Sequence, residues 1–210
     1  VAGKKILDLP LTSRYSWFYG GYPFQNDPHQ NNPHHFYDET RARFDKTHDK
    51  GTKVRLQVSS TSHAHTFTID LADFELVGSP IPKPPNSISV TDFGADPHYK
   101  QDSHAAFQKA VDEGRAKKKT VYIPEGHYYI TEHVIVDDVT LTGAGPWYSV
   151  LGGRHPHDSN KMVGIYGKYA EAGGSRNVHL SNFAIIGDIG ERVDSVQSNG
   201  LGGSMSDSTV

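Results

Sequence analysis

Apolar and polar residues alternate with a period of two over much of the chain. In residues 53–60, Val54, Leu56 and Val58 fall on one face and Lys53, Arg55 and Gln57 on the other, the pattern of a strand with one buried side. Phe67, Ile69 and Leu71 alternate again, followed by Phe74, Leu76 and Val77. Residues 4–24 mix β-branched and aromatic residues with Pro and Gly-Gly turns. Residues 1–78 therefore predict half-buried antiparallel strands, a β-sandwich-like domain with too few strands to close. Residues 22–44 are polar, Pro-punctuated and long for a loop, and residues 38–44 at their end suit one helical turn. Four prolines in residues 80–85 then stiffen a connector over 79–86, which marks a domain boundary.

From residue 87 the rhythm changes. Ile88–Val90 predicts a short strand and Phe93–Pro97 a turn. Ala106, Phe107, Ala110 and Val111 fall at helical spacing behind an N-cap at Asp102 or Ser103. Gly114 and the basic run Arg115–Lys119 suit the helix end and its negative dipole. Short strands follow at 120–123, 128–130, 134–136, 139–141, 149–153, 161–169, 183–187 and about 201–205, broken by turns such as Pro124-Glu125-Gly126 and Asp137-Asp138. A weak repeat runs through them: Val139-Thr140-Leu141 recurs as Val178-His179-Leu180, and residues 206–210 begin the figure again. Brief, evenly spaced strands after one helix predict a solenoid whose first turn is plugged by that helix. The rhythm still runs at Val210, so we expect residues 87–210 to be the truncated N-terminal part of a coil that the remainder of the same polypeptide completes. The first residue is Val rather than Met, which an excised or processed segment explains.

Composition supports the all-β reading. Hydrophobic residues make up 35 % of the 210, with 21 Gly and 12 Pro, and the mean hydropathy is −0.58. A net charge of −3 argues against nucleic acid as a partner. The run Arg115–Lys119 reads as a solvated helix end. No apolar run approaches the ~20 residues that span a bilayer. Cysteine is absent, which removes disulfides and thiolate metal sites.

The order "VTDFGAD", "AAFQKAVDEG" and "VYIPEGHYYI" in residues 90–130 resembles the N-terminal cap and first coil of right-handed parallel β-helix enzymes acting on polysaccharides. "PHHFYDETRARF", "GAGPWYSVLGG" and "SNFAIIGDIGERVDSVQSNGLGGSMSDSTV" resemble the α-1,3-glucanase and mycodextranase family of glycoside hydrolases. The resemblance implies a secreted hydrolase of α-1,3-glucan or nigeran that uses carboxylate general acid and base catalysis. It requires no cofactor, though structural Ca²⁺ is common in such enzymes. It also implies catalytic aspartates in later coils, outside these residues.

Glycoside hydrolysis needs two carboxyls across the sugar ring. Asp188, Glu191 and Asp194 are weak candidates, in an excursion between two strands; solvated turn acids are the plainer reading. Asp137-Asp138 is a pair, but its turn context makes it structural. Trp147 and Tyr148, flanked by glycines, suit a sugar platform or packing under a loop. Asp194 and Asn199 are further substrate-binding candidates. His34-His35 and His155, His157 and Asp158 lack the convergent spacing of a zinc site. The acidic segments 93–102 and 187–194 carry the oxygen donors that Ca²⁺ takes. Two rival readings remain: a non-catalytic carbohydrate-binding or tailspike-like module, and a polysaccharide lyase. The acidic rim of residues 187–194 disfavours the lyase, whose substrate is itself acidic.

Overall fold

The computed structural model describes residues 1–11, 17–18, 34–35, 39–63, 66–153, 163–187 and 200–210. The chain divides into two compact units, Val1–Gly78 and Ser79–Val210.

In the first unit, strands β1 (Trp17–Phe18) and β2 (His34–His35) pair antiparallel, Trp17 opposite His35 and Phe18 opposite His34. The strands expected over 53–60 and 66–77 do not form ladders, and residues 39–44 carry no helical turn. Alternation reports what a strand would bury against a second layer. Here Leu71 is 79 % and Leu76 87 % exposed, so no layer covers them. An isolated helical turn fixes several residues for a single hydrogen bond, which does not offset the entropy lost. Phe44 instead packs locally, stacked on Phe74 at 6.5 Å and edge-on to His48 at 5.2 Å.

The second unit is built from short strands joined by sharp corners. In chain order these are β3 (Ile88–Ser89), β4 (His98–Asp102), helix α1 (His104–Lys117), β5 (Val121–Ile123), β6 (Gly126–Tyr129), β7 (Val134–Val136), β8 (Thr140–Gly143) and β9 (Ser149–Gly153). They continue as β10 (Ile165–Gly167), β11 (Ser175–Arg176), β12 (His179–Ser181), β13 (Ala184–Gly187), β14 (Leu201–Gly202) and β15 (Met205–Ser206). Three parallel sheets result, β3-β5-β8-β12, β4-β6-β9-β13 and β7-β10-β14, with a short fourth, β11-β15. Each strand pairs with its counterpart one coil away, the arrangement of a parallel β-helix.

Register stacks like on like. Ile88, Val121, Leu141 and Leu180 form one column, Tyr128, Leu151 and Ile185 a second, and Val134, Ile165 and Leu201 a third. The repeat seen in the sequence is this first column: Leu141 faces Leu180, and His179 bridges to Thr209 one coil further on. Buried serines tie coil to coil. Ser149 donates to the Ile123 carbonyl at 2.7 Å and accepts from the Ala144 amide at 2.8 Å. Ser175 does the same for the Val136 carbonyl, at 2.6 Å, and the Lys168 amide, at 2.8 Å.

One corner recurs in every coil. Two or three residues before each strand of the first sheet stands a left-handed residue, Asn86 (φ 58°), Lys118 (52°), Asp138 (49°) and Asn177 (52°), and Asp207 (50°) stands likewise before the bridge at Thr209. Asn and Asp enter this region more readily than other side chains. Asp138 and Asn177 also bond one another across coils, Asn177 Nδ2 donating to Asp138 Oδ1 at 2.8 Å.

Helix α1 buries Ala106, Phe107, Ala110 and Val111, as its spacing predicts. Both N-cap candidates share the work. Ser103 holds the cap position but accepts from the Asp96 amide, while the Asp102 carboxylate accepts from His104 N–H at 3.0 Å and from Thr131 Oγ1 at 2.7 Å. Gly114 does not end the helix; Lys118 does. Gly114 is instead where α1 comes closest to β5, since a Cβ there would lie 2.4 Å from Val121 Cγ2 and 3.0 Å from the Lys119 carbonyl oxygen. Gln108 closes the free edge of β7, its amide accepting from Ile135 N–H at 2.8 Å and donating to the Ile135 carbonyl at 3.0 Å.

Asp137 ties the helix end to the coils. It accepts from Lys168 Nζ at 2.5 Å and from the Arg176 amide at 3.1 Å, and pairs with Arg115, whose Nη2 lies 3.1 Å away. Burial pushes its carboxyl up, but the Lys168 hydrogen bond, the Arg176 amide and the charges of Lys168 and Arg115 outweigh this and hold it below the ordinary value.

Two substitutions test these contacts. Gly114→Ala gains about 1 kcal/mol of helix propensity but overpacks Val121, and the net expected in urea unfolding is a loss of about 1–2 kcal/mol. Asp137→Asn is expected to cost about 1–3 kcal/mol at pH 7. Because the native carboxyl is depressed, its contribution is full above the unfolded value of about 3.9 and is lost as pH falls through the native one. The gap between wild type and variant should therefore close in acid, as denaturant melts at stepped pH would show.

Candidate functional site

The outer face of the β4-β6-β9-β13 sheet carries the group of side chains best placed to meet a ligand. Alternation along β6 sends Tyr128 into the core and leaves His127 exposed and Tyr129 half-buried on the outside. The neighbouring strand β4 brings a third ring. Its pairing with β6 slips between His98, opposite His127, and Asp102, opposite Tyr129, so that four steps of β4 span two of β6. Tyr99 sits in that bulge with φ at 59°.

Asp96 holds the bulge. Its carboxylate accepts the amides of His98 at 3.0 Å, Lys100 at 2.9 Å and Gln101 at 2.9 Å, on both sides of Tyr99. The amide of His98 above all, then those of Lys100 and Gln101, keep this carboxyl below its ordinary value against the opposing effect of burial. Asp96 lies in one of the two acidic segments with oxygen donors of the kind Ca²⁺ takes, and its oxygens are engaged by backbone amides. Among the described residues no three His, Cys, Asp or Glu side chains converge.

The three rings form one surface. Tyr99 stacks on His127 with centroids 4.1 Å apart and 28° between planes, and meets Tyr129 edge-on at 5.1 Å. Gly152 on β9 makes room beneath them: a Cβ there would lie 3.0 Å from His127 Nε2 and 3.3 Å from Tyr99 Cε2. The same glycine borders a depression lined by Ile130, Gly153, Val163, Ile185, Ile186 and Gly187, which reaches into the core.

Trp147 and Tyr148 stand at the corner that leads into β9 and are both half-buried. Tyr148 donates its amide to the Gly145 carbonyl and accepts from the Gly126 amide, each at 2.9 Å, so its backbone is part of the corner. Asp188, Glu191, Asp194 and Asn199 lie outside the described residues, as do His155, His157 and Asp158. Of His34 and His35 only the backbone is described. Asp137 and Asp138 take the structural part expected of them, bound to Lys168, Arg115, Lys118 and Asn177.

The ring cluster is not anticipated by the sequence pattern. Its local signal is the outward placement of His127 and Tyr129 around Tyr128. The other half, Tyr99, lies on β4, which follows the predicted turn Phe93–Pro97 and has no strand pattern of its own.

Comparison with known proteins follows the same division of the chain. Residues 1–77 match the family model "Alpha-1,3-glucanase catalytic domain D1", and residues 87–190 match "Rhamnogalacturonase A/epimerase, pectate lyase-like". The crystal structure of the catalytic unit of the thermostable GH87 α-1,3-glucanase from Streptomyces thermodiastaticus strain HF3-3 is 32 % identical over 96 % of this chain, with a TM-score of 0.63. A GH87 α-1,3-glucanase catalytic domain solved in complex with nigerose shares the fold, at 18 % identity over 93 % of this chain and a TM-score of 0.58. The chain spans 34 % of the length of each of these two structures. No curated protein matches it. By its first-unit model and its Streptomyces counterpart, the chain belongs to the α-1,3-glucanase family of glycoside hydrolases.

Proposed function

We propose that these 210 residues are the N-terminal segment of a secreted enzyme that hydrolyses α-1,3-glucosidic bonds. The observation that carries this reading is the 32 % identity to the Streptomyces α-1,3-glucanase across 96 % of the chain. Helix α1 serves as the N-terminal cap of a right-handed coil, and the outer face of the β4-β6-β9-β13 sheet meets the polysaccharide. The general acid and base are carboxylates of later coils in the same polypeptide. The described part of that face presents the rings of Tyr99, His127 and Tyr129 beside Gly152, with exposed Lys100 and Asp102 on β4. Nigerose, bound in the second relative, is the disaccharide unit of such a glucan and supplies a soluble probe.

The 210-residue chain should co-sediment with insoluble α-1,3-glucan and release no reducing sugar from it. The parent polypeptide should release reducing sugar from α-1,3-glucan and none from α-1,4-glucan. Hydrolysis by the 210-residue chain itself would return the catalytic role to Asp188, Glu191 and Asp194. Glucan binding without hydrolysis by the parent would make the coil a carbohydrate-binding module. An unsaturated, ultraviolet-absorbing product from a polyuronate would replace hydrolysis by elimination.

A further inference from the structure

We propose that Tyr99, His127 and Tyr129 form a ring-binding subsite for one glucose unit of an α-1,3-glucan, on the first coils of the solenoid. The proposal rests on the glucan-hydrolase reading and adds to it a specific place where the chain of sugars is held.

Three observations carry it. First, the rings stand outside the core. The interior of this part of the coil is filled by Tyr128, Phe107 and Ile130, each fully buried, whereas His127 is exposed and Tyr99 and Tyr129 are half-buried. Packing of the core therefore does not require the cluster. Second, Tyr99 is held at a backbone angle that a bulky side chain rarely adopts, at a cost on the order of 1–3 kcal/mol. The surrounding structure commits the whole Asp96 carboxylate, with its bonds to three amides, to keeping it there. A bulge blunts the edge that β4 forms, and this one also carries an aromatic side chain. The bulge sets the Tyr99 ring against His127 and over Gly152.

Third, the surface suits the ligand chemistry. A pyranose ring presents a flat face of C–H groups of slight positive character, which the negative faces of aromatic rings attract. Two phenol rings and an imidazole together offer such faces beside hydroxyl and ring-nitrogen groups that can bond sugar hydroxyls, with exposed Lys100 next to Tyr99 on β4.

Titration of the 210-residue chain with nigerotetraose in a calorimeter tests the subsite. Tyr99→Asn removes the ring while keeping a residue that tolerates the left-handed angle. His127→Ala removes an exposed ring without touching the bulge. Each should weaken binding about 3- to 10-fold, the effect of one aromatic contact, with an unchanged melting temperature for His127→Ala. Tyr99→Phe should bind as wild type does. If wild type binds and both variants bind equally well, the subsite is refuted while the glucan-hydrolase reading stands. If Tyr99→Asn does not fold, His127→Ala alone decides. Failure of the wild-type chain to bind any α-1,3-linked sugar would overturn the glucan ligand itself, and the subsite with it.

Discussion

A parallel coil has an unsatisfied beginning. Each strand is completed by the strands above and below it, so the first strand of every sheet exposes backbone groups and apolar side chains on one side. The rest of the second unit depends on how that edge is closed. Helix α1 does it twice over. Its apolar face, with Phe107 edge-on to Tyr128 at 5.3 Å, covers the core of the first coil. Its Gln108 side chain imitates a strand, offering one donor and one acceptor to Ile135 as a neighbouring peptide would. Gly114 then lets the helix lie close against β5.

Given a closed start, the coil propagates by repetition. Every turn meets the same demands, a left-handed corner and a side chain that fits the column above. The corner residues Asn86, Asp138, Asn177 and Asp207 answer the first demand with short polar side chains that tolerate the conformation. Lys118 answers it differently, as the residue that also ends the helix, where its side chain pairs with Asp138. Buried Ser149 and Ser175 tie the corners of adjacent coils, each joining a carbonyl and an amide through one hydroxyl. Asp137 links the cap to this repeating frame through Arg115 and Lys168.

A regular frame of this kind places function on its outside. The inward half of each strand is committed to the columns, so variation is confined to outward positions and to the segments between strands. On the β4-β6-β9-β13 sheet the outward positions hold rings on the early coils and glycine on the next, with Lys100 and Asp102 exposed on β4.

The sequence by itself determined the elements whose cause is local. The buried face of α1 follows from Ala106, Phe107, Ala110 and Val111 at helical spacing. The first column of the coil follows from the recurrence of Val-x-Leu, because each coil imposes the same requirement on the same position. The resemblance of residues 90–130 to polysaccharide-acting β-helix enzymes was readable for the same reason: a cap is one contiguous stretch. Only the tertiary structure decided matters that depend on residues distant in the chain. Alternation at 53–60 and 66–77 shows what a strand would bury, not whether a partner exists, and those segments form no ladder. Gly114 reads as a helix end until Val121 is seen to press on it. Strand β4 has no apolar alternation to announce it. Its pairing with β6 and the amides collected by Asp96 make it a strand, and only that pairing carries Tyr99 to His127 and Tyr129.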